Sequence, residues 1–262
     1  MNLEKYLAKR KQEQLEFNKI PRRHICPSCI RPPAACFCSY IKPFDTNFEF
    51  ILLMHPKEFK KEPIGTGRYT NKSLKNCRII VDATFDENRE LKEILADKNR
   101  QVFLLYPGDS SVNISDFKTF PNNEFLDPNK KPVILIIDGT WACAKSMMRD
   151  SHCLHNLPRL SFSTDITSRF HIKLQPADYC LSTIESVHVL LKALEERGLE
   201  QVGQKKQILL DTLDRMVRYQ VQCANDPNRK GYRRGQFKSK EQRQIPKKWD
   251  YRKICFEEKN YY

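Results

Sequence analysis

The sequence predicts an α/β domain built on a mostly parallel sheet. Four short apolar runs are rich in β-branched and aromatic residues, which is typical of buried strands in parallel sheets. These runs are 48–54, 77–83, 101–107 and 133–139. Helical patterns lie between the runs or follow them, and this alternation indicates an α/β domain. The chain has 262 residues, 40% of them hydrophobic, which is enough to bury a full core.

The other elements are predicted from the segments around these strands. Residues 1–23 are strongly charged and predict a short helix, whereas 24–45 are rich in Cys and Pro and predict loops. Ser182 and Glu185 have the spacing of a capping box, which marks the start of a helix. Helices are predicted over 87–98, 141–150, 183–197 and 205–222.

Composition divides the chain into three parts. Residues 1–45 form an N-terminal helix and a Cys-rich segment, 46–225 form the α/β domain, and 226–262 form a basic tail. The tail lacks hydrophobic periodicity, so we expect it to be extended. Its aromatic residues Phe237, Trp249 and Phe256 leave open the alternative that the tail docks on the domain.

The net charge of +14 is concentrated at the two ends of the chain. Residues 1–23 carry seven basic and three acidic side chains, and residues 225–262 carry twelve and five. This distribution favours a polyanionic partner, with nucleic acid ahead of a membrane surface, and its alternative is a solubilising surface. No apolar run approaches the ~18 residues that a membrane helix needs, and no secretory signal is recognisable. We therefore expect a cytosolic or nuclear protein that has no membrane partner.

Four of the ten cysteines cluster near the N-terminus, where they predict a zinc site. A disulfide framework is not expected in a reducing compartment, whereas Zn²⁺ takes four thiolates and a CxxC turn presents two of them. The second pair is CxC, so His24 is kept as an alternative ligand. With four sulfur ligands the site is structural, because no position stays open for water. The predicted ligands are Cys26, Cys29, Cys36 and Cys38, and the alternative is four unrelated cysteines.

Asp138 directly follows the predicted strand 133–137 and is followed by Gly139, Thr140 and Trp141. Open α/β sheets bind ligands at the carboxyl ends of their strands, where an Asp can act as a base. The spacing fits equally well a helix start that Asp138 caps. A P-loop, GxSxG and HExxH are absent, and Gly65-Thr66-Gly67 does not follow a strand directly. This disfavours P-loop kinases and dinucleotide dehydrogenases.

A series of motifs in fixed order resembles the DTW-domain family, the tRNA-uridine aminocarboxypropyltransferases. The resemblance extends from about His24 to Tyr219. It is carried by RxxCPxCxRPxxxCFC, LLMHPKE, TGRYxxxSL, LLYPG, DGTWACAKSM, LPRL and QPxxxCLSTIE.

The resemblance implies a SPOUT-like fold with a C-terminal trefoil knot, and an enzyme that acts on tRNA. Such enzymes transfer the 3-amino-3-carboxypropyl group of S-adenosylmethionine to N3 of a uridine, forming acp3U and methylthioadenosine. Asp138 is then the candidate base for the N3 proton. Residues expected around the co-substrate are Tyr106, Pro107, Gly108, Gly139, Thr140, Trp141, Leu181, Ser182, Thr183 and Glu185. Residues expected to bind the substrate are His55, Arg68, Arg159 and Lys173.

Two other functions stay open at this point. An S-adenosylmethionine-dependent RNA methyltransferase releases S-adenosylhomocysteine instead of methylthioadenosine. A non-enzymatic zinc-containing RNA-binding protein has no pocket around Asp138 and no affinity for the co-substrate. The sequence identifies neither the tRNA nor the uridine that is modified, and it leaves the oligomeric state open, with a monomer favoured.

Overall fold

A computed structural model of the protein describes residues 3–19, 24–61, 64–108, 110–117, 125–173, 177 and 180–226. The chain divides into two compact units, Met1–Cys38 and Ser39–Tyr262. The first contains helix α1 (Leu3–Lys19), the Cys-rich segment and one 3-10 turn at Pro33–Ala35. The predicted tail from residue 227 onward, including Phe237, Trp249 and Phe256, lies outside the described residues.

The second unit is built on a six-stranded sheet. All strand pairs in the described part of the chain are parallel, which confirms the predicted fold class, while the knot stays a prediction. The order across the sheet is β2-β1-β5-β3-β6-β4. The strands are β1 (Glu49–Met54), β2 (Cys77–Val81), β3 (Arg100–Leu105), β4 (Ser111–Asn113), β5 (Lys131–Asp138) and β6 (Arg159–Ser161).

Helices cover the sheet and account for the buried character of its strands. All residues of β1 are buried, as expected for a central parallel strand with both faces covered. The described helices of this unit include the four predicted ones, now α4 to α7, and none is long and apolar enough to cross a membrane. The helices are α2 (Pro56–Lys61), α3 (Thr66–Ser73), α4 (Arg89–Ala96), α5 (Trp141–Asp150), α6 (Thr183–Glu196) and α7 (Gln207–Asn225).

The helix α3 was not expected from the sequence, because its residues are mostly polar and it contains Gly67. It packs against α6 and α7, and this tertiary contact stabilises it. Its buried hydroxyls do not need outside partners: Thr70 donates to the carbonyl of Thr66 and Ser73 to that of Tyr69. The short elements α2, β4 and β6 were missed for the related reason that they carry too little periodicity.

Glu49, at the amino end of β1, holds the cations of three neighbouring strands. Its carboxylate lies 3.1 Å from Arg78 of β2, 2.9 Å from Arg100 of β3 and 3.0 Å from Lys131 of β5. Burial alone would raise the pKa of Glu49, but the three cations outweigh burial and lower it. The ionised carboxylate therefore joins the amino ends of four strands.

We expect Glu49→Gln to lower the free energy of unfolding by about 1–3 kcal/mol, because it leaves three cations around a neutral group. Denaturant unfolding at pH 7 measures this loss. Because the pKa of Glu49 is lowered in the folded state, the difference should shrink as the pH falls below the ordinary carboxyl range. The control is Asp45→Asn, whose ion pair with Lys75 is exposed on both sides and contributes at most ~1 kcal/mol. Equal losses in both variants would contradict the role of Glu49.

Candidate active site and metal centre

The carboxyl ends of two central strands place Asp138 beside the segment that follows β1. In the sheet register Asp138 lies opposite Met54, the last residue of β1. The next residue, His55, donates its backbone N–H to the carbonyl oxygen of Asp138 over 2.9 Å. The helix α5 is capped by Thr140, whose hydroxyl oxygen accepts a first-turn N–H. The alternative that Asp138 caps this helix is therefore wrong, and its carboxyl points elsewhere.

The carboxyl group of Asp138 is enclosed by two other helices. Asp138 is only 4% exposed. Thr183, the first residue of α6, donates its hydroxyl to Oδ1 over 2.5 Å. Oδ2 is buried and has no hydrogen-bond partner among the described residues. A Cβ on Gly67 of α3 would overlap Oδ2, so a larger residue fits there only if this carboxyl shifts.

Burial raises the pKa of Asp138 from 3.8 to about 6. The hydrogen bond from Thr183 opposes this rise, as do the positive charges of Lys173 and Arg68, while the negative charge of Glu58 adds to it. A carboxyl with a pKa near neutrality can both accept and release a proton at physiological pH. Together with the unpartnered Oδ2, this makes Asp138 the best candidate for a general base in the described part of the chain.

Charged side chains from neighbouring elements surround this carboxyl. Glu58 of α2 is 7% exposed and pairs with Lys173, whose Nζ lies 3.2 Å from its Oε1. Arg68 of α3 donates to the carbonyl of Phe59, and its guanidinium lies 4.2 Å from the centre of that ring. The site thus holds two carboxyls and two cations within one electrostatic environment.

The imidazole of His55 is oriented by the helix that follows it. Its Nδ1 accepts the backbone N–H of Lys57 over 3.1 Å. Burial and the positive charge of Lys57 lower its pKa, so the ring is neutral at pH 7.

The structure brings together several of the predicted site residues around Asp138. Thr183 contacts its carboxyl, His55 contacts its backbone, and Arg68 and Lys173 act on its charge. Sequence reasoning did not select Glu58 or Gly67. Both lie in motifs that follow β1: Glu58 in HPKE and Gly67 in TGRY. For Glu58, the available signal was an acidic residue in the first turn after a buried strand.

Glu185 is engaged in holding the start of α6. It closes the predicted capping box by accepting the backbone N–H of Ser182 over 2.8 Å, which confirms that prediction. It also accepts the hydroxyl of Ser168 over 2.9 Å and the N–H of Arg169 over 2.6 Å. Leu181 and Ser182 are buried beside it. Any contact between Glu185 and a co-substrate stays a prediction.

The remaining predicted residues lie at the same edge of the sheet. Tyr106, Pro107 and Gly108 follow β3, and Arg159 of β6 places its guanidinium 5.8 Å from the centre of the Tyr106 ring. Trp141 is partly exposed at the start of α5. The carboxyl edge of a parallel sheet is the expected ligand-binding edge.

The four clustered cysteines of the first unit meet the geometric demands of zinc. Their sulfur atoms all lie within 4.8 Å of one another. The Sγ atoms of Cys26 and Cys38 are 3.8 Å apart, and those of Cys29 and Cys36 are 3.7 Å apart. Zn–S bonds of ~2.3 Å in a tetrahedron place sulfurs about 3.8 Å apart. The donor set therefore fits Zn²⁺.

The CxxC turn has the backbone that such a site needs. Ile30 adopts a positive φ of 57°, which a β-branched residue rarely does, and its N–H donates to the carbonyl of Cys26 over 2.8 Å. The backbone N–H of Cys29 is the main reason that the pKa of Cys26 falls to about 6, whereas burial raises the pKa of Cys29 to about 12. His24 is exposed and is not a member of this cluster.

Comparisons with known proteins converge on one family. The family model described as "DTW domain" matches residues 23–221. "tRNA-uridine aminocarboxypropyltransferase 2" of Macaca fascicularis is 28% identical over 80% of this chain and 67% of its own length. The protein of that name from Mus musculus is 28% identical over 77% and 65%, respectively. The one from Drosophila melanogaster is 29% identical over 76% of each chain. No solved structure matches.

We expect Cys29→Ser to remove bound zinc and to lower the melting temperature of the same sample, because the short Cys-rich segment depends on the metal for order. Elemental analysis and thermal unfolding measure the two effects. Cys223→Ser, in α7, is the control and should retain about one zinc per chain. Wild-type protein from zinc-replete medium with well under one zinc per chain would contradict the metal site.

Proposed function

Because this chain belongs to the DTW domain family, we propose that it is a transferase that attaches an aminocarboxypropyl group to a uridine of tRNA. The names of the three relatives support the reaction class. The observation that carries the proposal to this chain is the buried carboxyl of Asp138, with a pKa of about 6 and one oxygen that has no hydrogen-bond partner among the described residues. The chain spans about two thirds of the length of the mammalian relatives, so the activity is assigned here as a proposal.

We propose S-adenosylmethionine as the donor, and the charges around Asp138 fit it. Its sulfonium and ammonium groups are positive, and Glu58 and Asp138 offer negative charge. Its carboxylate is negative, and Arg68 and Lys173 offer positive charge. The adenosine part would be held by Pro107 and Gly108 after β3, by 139–141 after β5 and by 181–183 at the start of α6.

The proposed reaction alkylates N3 of uridine. When bound, S-adenosylmethionine supplies the electrophilic carbon, whose bond to sulfur breaks as its bond to N3 forms, so that methylthioadenosine leaves. The N3–H proton must go to a base because the uridine anion is the better nucleophile, and Oδ2 of Asp138 accepts it. Thr183 keeps Oδ1 occupied, which leaves Oδ2 as the accepting oxygen.

The burial of Asp138 adds a requirement to this mechanism. Oδ2 lies directly beneath Gly67, in the first turn of α3. The uridine can reach Oδ2 only when this turn moves away, so we propose that substrate binding displaces it. Closure of the site over the bound uridine would then exclude water from the proton transfer.

The tRNA substrate agrees with the net charge of +14, most of whose excess lies in the two terminal segments. The location in the cytosol or nucleus and the monomeric state stay predictions. The products distinguish this function from RNA methylation. The proposed reaction forms acp3U and releases methylthioadenosine, whereas a methyltransferase releases S-adenosylhomocysteine from the same donor.

We expect Asp138→Asn to lower turnover on unmodified tRNA by ~10²–10⁴-fold, because the amide keeps the shape of the carboxyl and cannot accept the proton. Mass spectrometry of tRNA nucleosides and of released methylthioadenosine measures this loss. Asp82→Asn, at the carboxyl end of the neighbouring β2, is the matched control and should keep its turnover. Turnover near wild type in a folded Asp138→Asn protein would contradict the role of the base. Release of S-adenosylhomocysteine instead would contradict the reaction.

We expect Thr183→Val to move the acidic limb of the kcat/KM profile to higher pH. The hydrogen bond from Thr183 lowers the pKa of Asp138, so its loss raises that pKa above about 6. Asp138 acts as a base in its anionic form, which therefore appears at higher pH. Thr183→Ser keeps the hydroxyl and should keep the wild-type limb. Coincident profiles for Thr183→Val and wild type would show that Thr183 does not act on the base.

A further inference from the structure

A cleft of about 460 Å³ lies along α5, the helix that begins three residues after Asp138. Its lining residues are Tyr106, Lys145, Met148, Arg149, His155 and Arg159. Among the described residues, no acidic side chain lines it. A second cavity, of about 290 Å³, differs in this respect, because its Asp214 pairs with its Arg169 over 3.1 Å.

The cleft lies along the face of α5 that begins at Trp141. Lys145 follows Trp141 by four residues, and Met148 and Arg149 follow Lys145 by three and four, so all four share one face. At ~1.5 Å per residue, Lys145 lies about 6 Å along the axis from Trp141, and Arg149 about 12 Å. Since Trp141 is three residues from Asp138, the cleft leads away from the carboxyl edge of the sheet.

Lys145 and Arg159 supply the charge of this cleft. Arg149 adds a third cation, whose guanidinium lies 2.7 Å from the carboxylate of Asp150. Arg159 lies over the ring of Tyr106, and one of its Nη atoms donates to the carbonyl of His155 over 3.4 Å. Two cations from separate elements, α5 and β6, thus face one solvent-accessible space.

The other walls of the cleft are held in place by the fold. His155 donates from Nε2 to the carbonyl of Met148 over 2.7 Å, which joins the loop after α5 to the last turn of that helix. Tyr106 is anchored through its backbone N–H, which donates to the carbonyl of Leu160 over 3.0 Å. These bonds fix the imidazole of His155 and the backbone of Tyr106 in the walls of the cleft.

We propose that this cleft binds the RNA backbone next to the target uridine, with Lys145 and Arg159 on phosphates and Tyr106 available for base stacking. Phosphate contacts from Lys and Arg position a nucleic acid without reading its sequence, and aromatic rings stack on any base. This inference rests on the proposed function, because it names where that tRNA lies. It adds Lys145, which the sequence analysis did not select, and it assigns Tyr106 to the RNA.

The test compares tRNA binding by the double variant Lys145→Gln/Arg159→Gln with that by Arg89→Gln/Lys98→Gln. Arg89 and Lys98 are exposed and lie outside the cleft, and both doubles remove one Lys and one Arg charge. Affinity for unmodified tRNA is measured at several salt concentrations in the full-length protein. We expect the slope of log affinity against log salt to fall by about 1.4–1.8 in the cleft variant, for two lost phosphate contacts. Affinity at ~0.1 M salt should fall roughly 10- to 50-fold.

Further arms separate this inference from its alternatives. The charge-preserving double Lys145→Arg/Arg159→Lys should restore most of the slope. The affinity of the cleft variant for S-adenosylmethionine should be unchanged, because a loss there with intact tRNA binding would assign the cations to the carboxylate of the donor and overturn the proposal. An unchanged slope in a folded cleft variant, or an equal change in the control, would also overturn it. Binding is read without turnover, so a failed transferase assay leaves this result interpretable.

Discussion

The parallel pairing of β1 with β5 is the contact on which the rest of the site depends. It aligns Met54 with Asp138, so that two chain segments leave the sheet side by side. One begins with His55, whose N–H bonds to the backbone of Asp138, and the other continues through the Thr140 cap into α5. With Asp138 released from capping, α3 and α6 close over its carboxyl, and the packing of these two helices brings Gly67 and Thr183 to its two oxygens.

Two carboxyls of the same sheet have opposite pKa shifts because their surroundings differ. One shift suits a structural role and the other a chemical role. Glu49, at the amino edge, is surrounded by three cations, and its lowered pKa keeps it ionised as a cross-strand tie. Asp138, at the carboxyl edge, accepts one hydroxyl and leaves one oxygen unpartnered, so burial dominates and its pKa rises to about 6. An arrangement that leaves a buried oxygen unsatisfied is unfavourable for stability, and such sites are concentrated where chemistry requires them.

The Cys-rich segment and the sheet are stabilised by different interactions. The four cysteines lie within 13 residues, and their sulfurs stand at tetrahedral spacing around a turn that forces Ile30 to a positive φ. Zinc bound by these cysteines would order the segment with few buried side chains, because metal–ligand bonds replace a core. The basic cleft on α5 arises instead from helical periodicity, which repeats Trp141, Lys145 and Arg149 on one face, and from β6, which adds Arg159.

The sequence by itself determined the fold class, the four longer strands, four helices of the α/β domain and a cysteine cluster that fits zinc, because each of these follows from local periodicity or spacing. Asp138 was selected because it directly follows a predicted strand, whereas the resemblance to a known family implied roles for His55, Arg68, Lys173 and Thr183. Only the tertiary structure decided that Thr140 and not Asp138 caps α5, since both residues suit that position locally. Likewise α3 has little helical propensity of its own, and Gly67 and Glu58 acquire their roles only because the fold brings them close to Asp138. Burial, which sets the proton affinity of Asp138, is a property of neighbours distant in sequence and therefore cannot be read from the residue order.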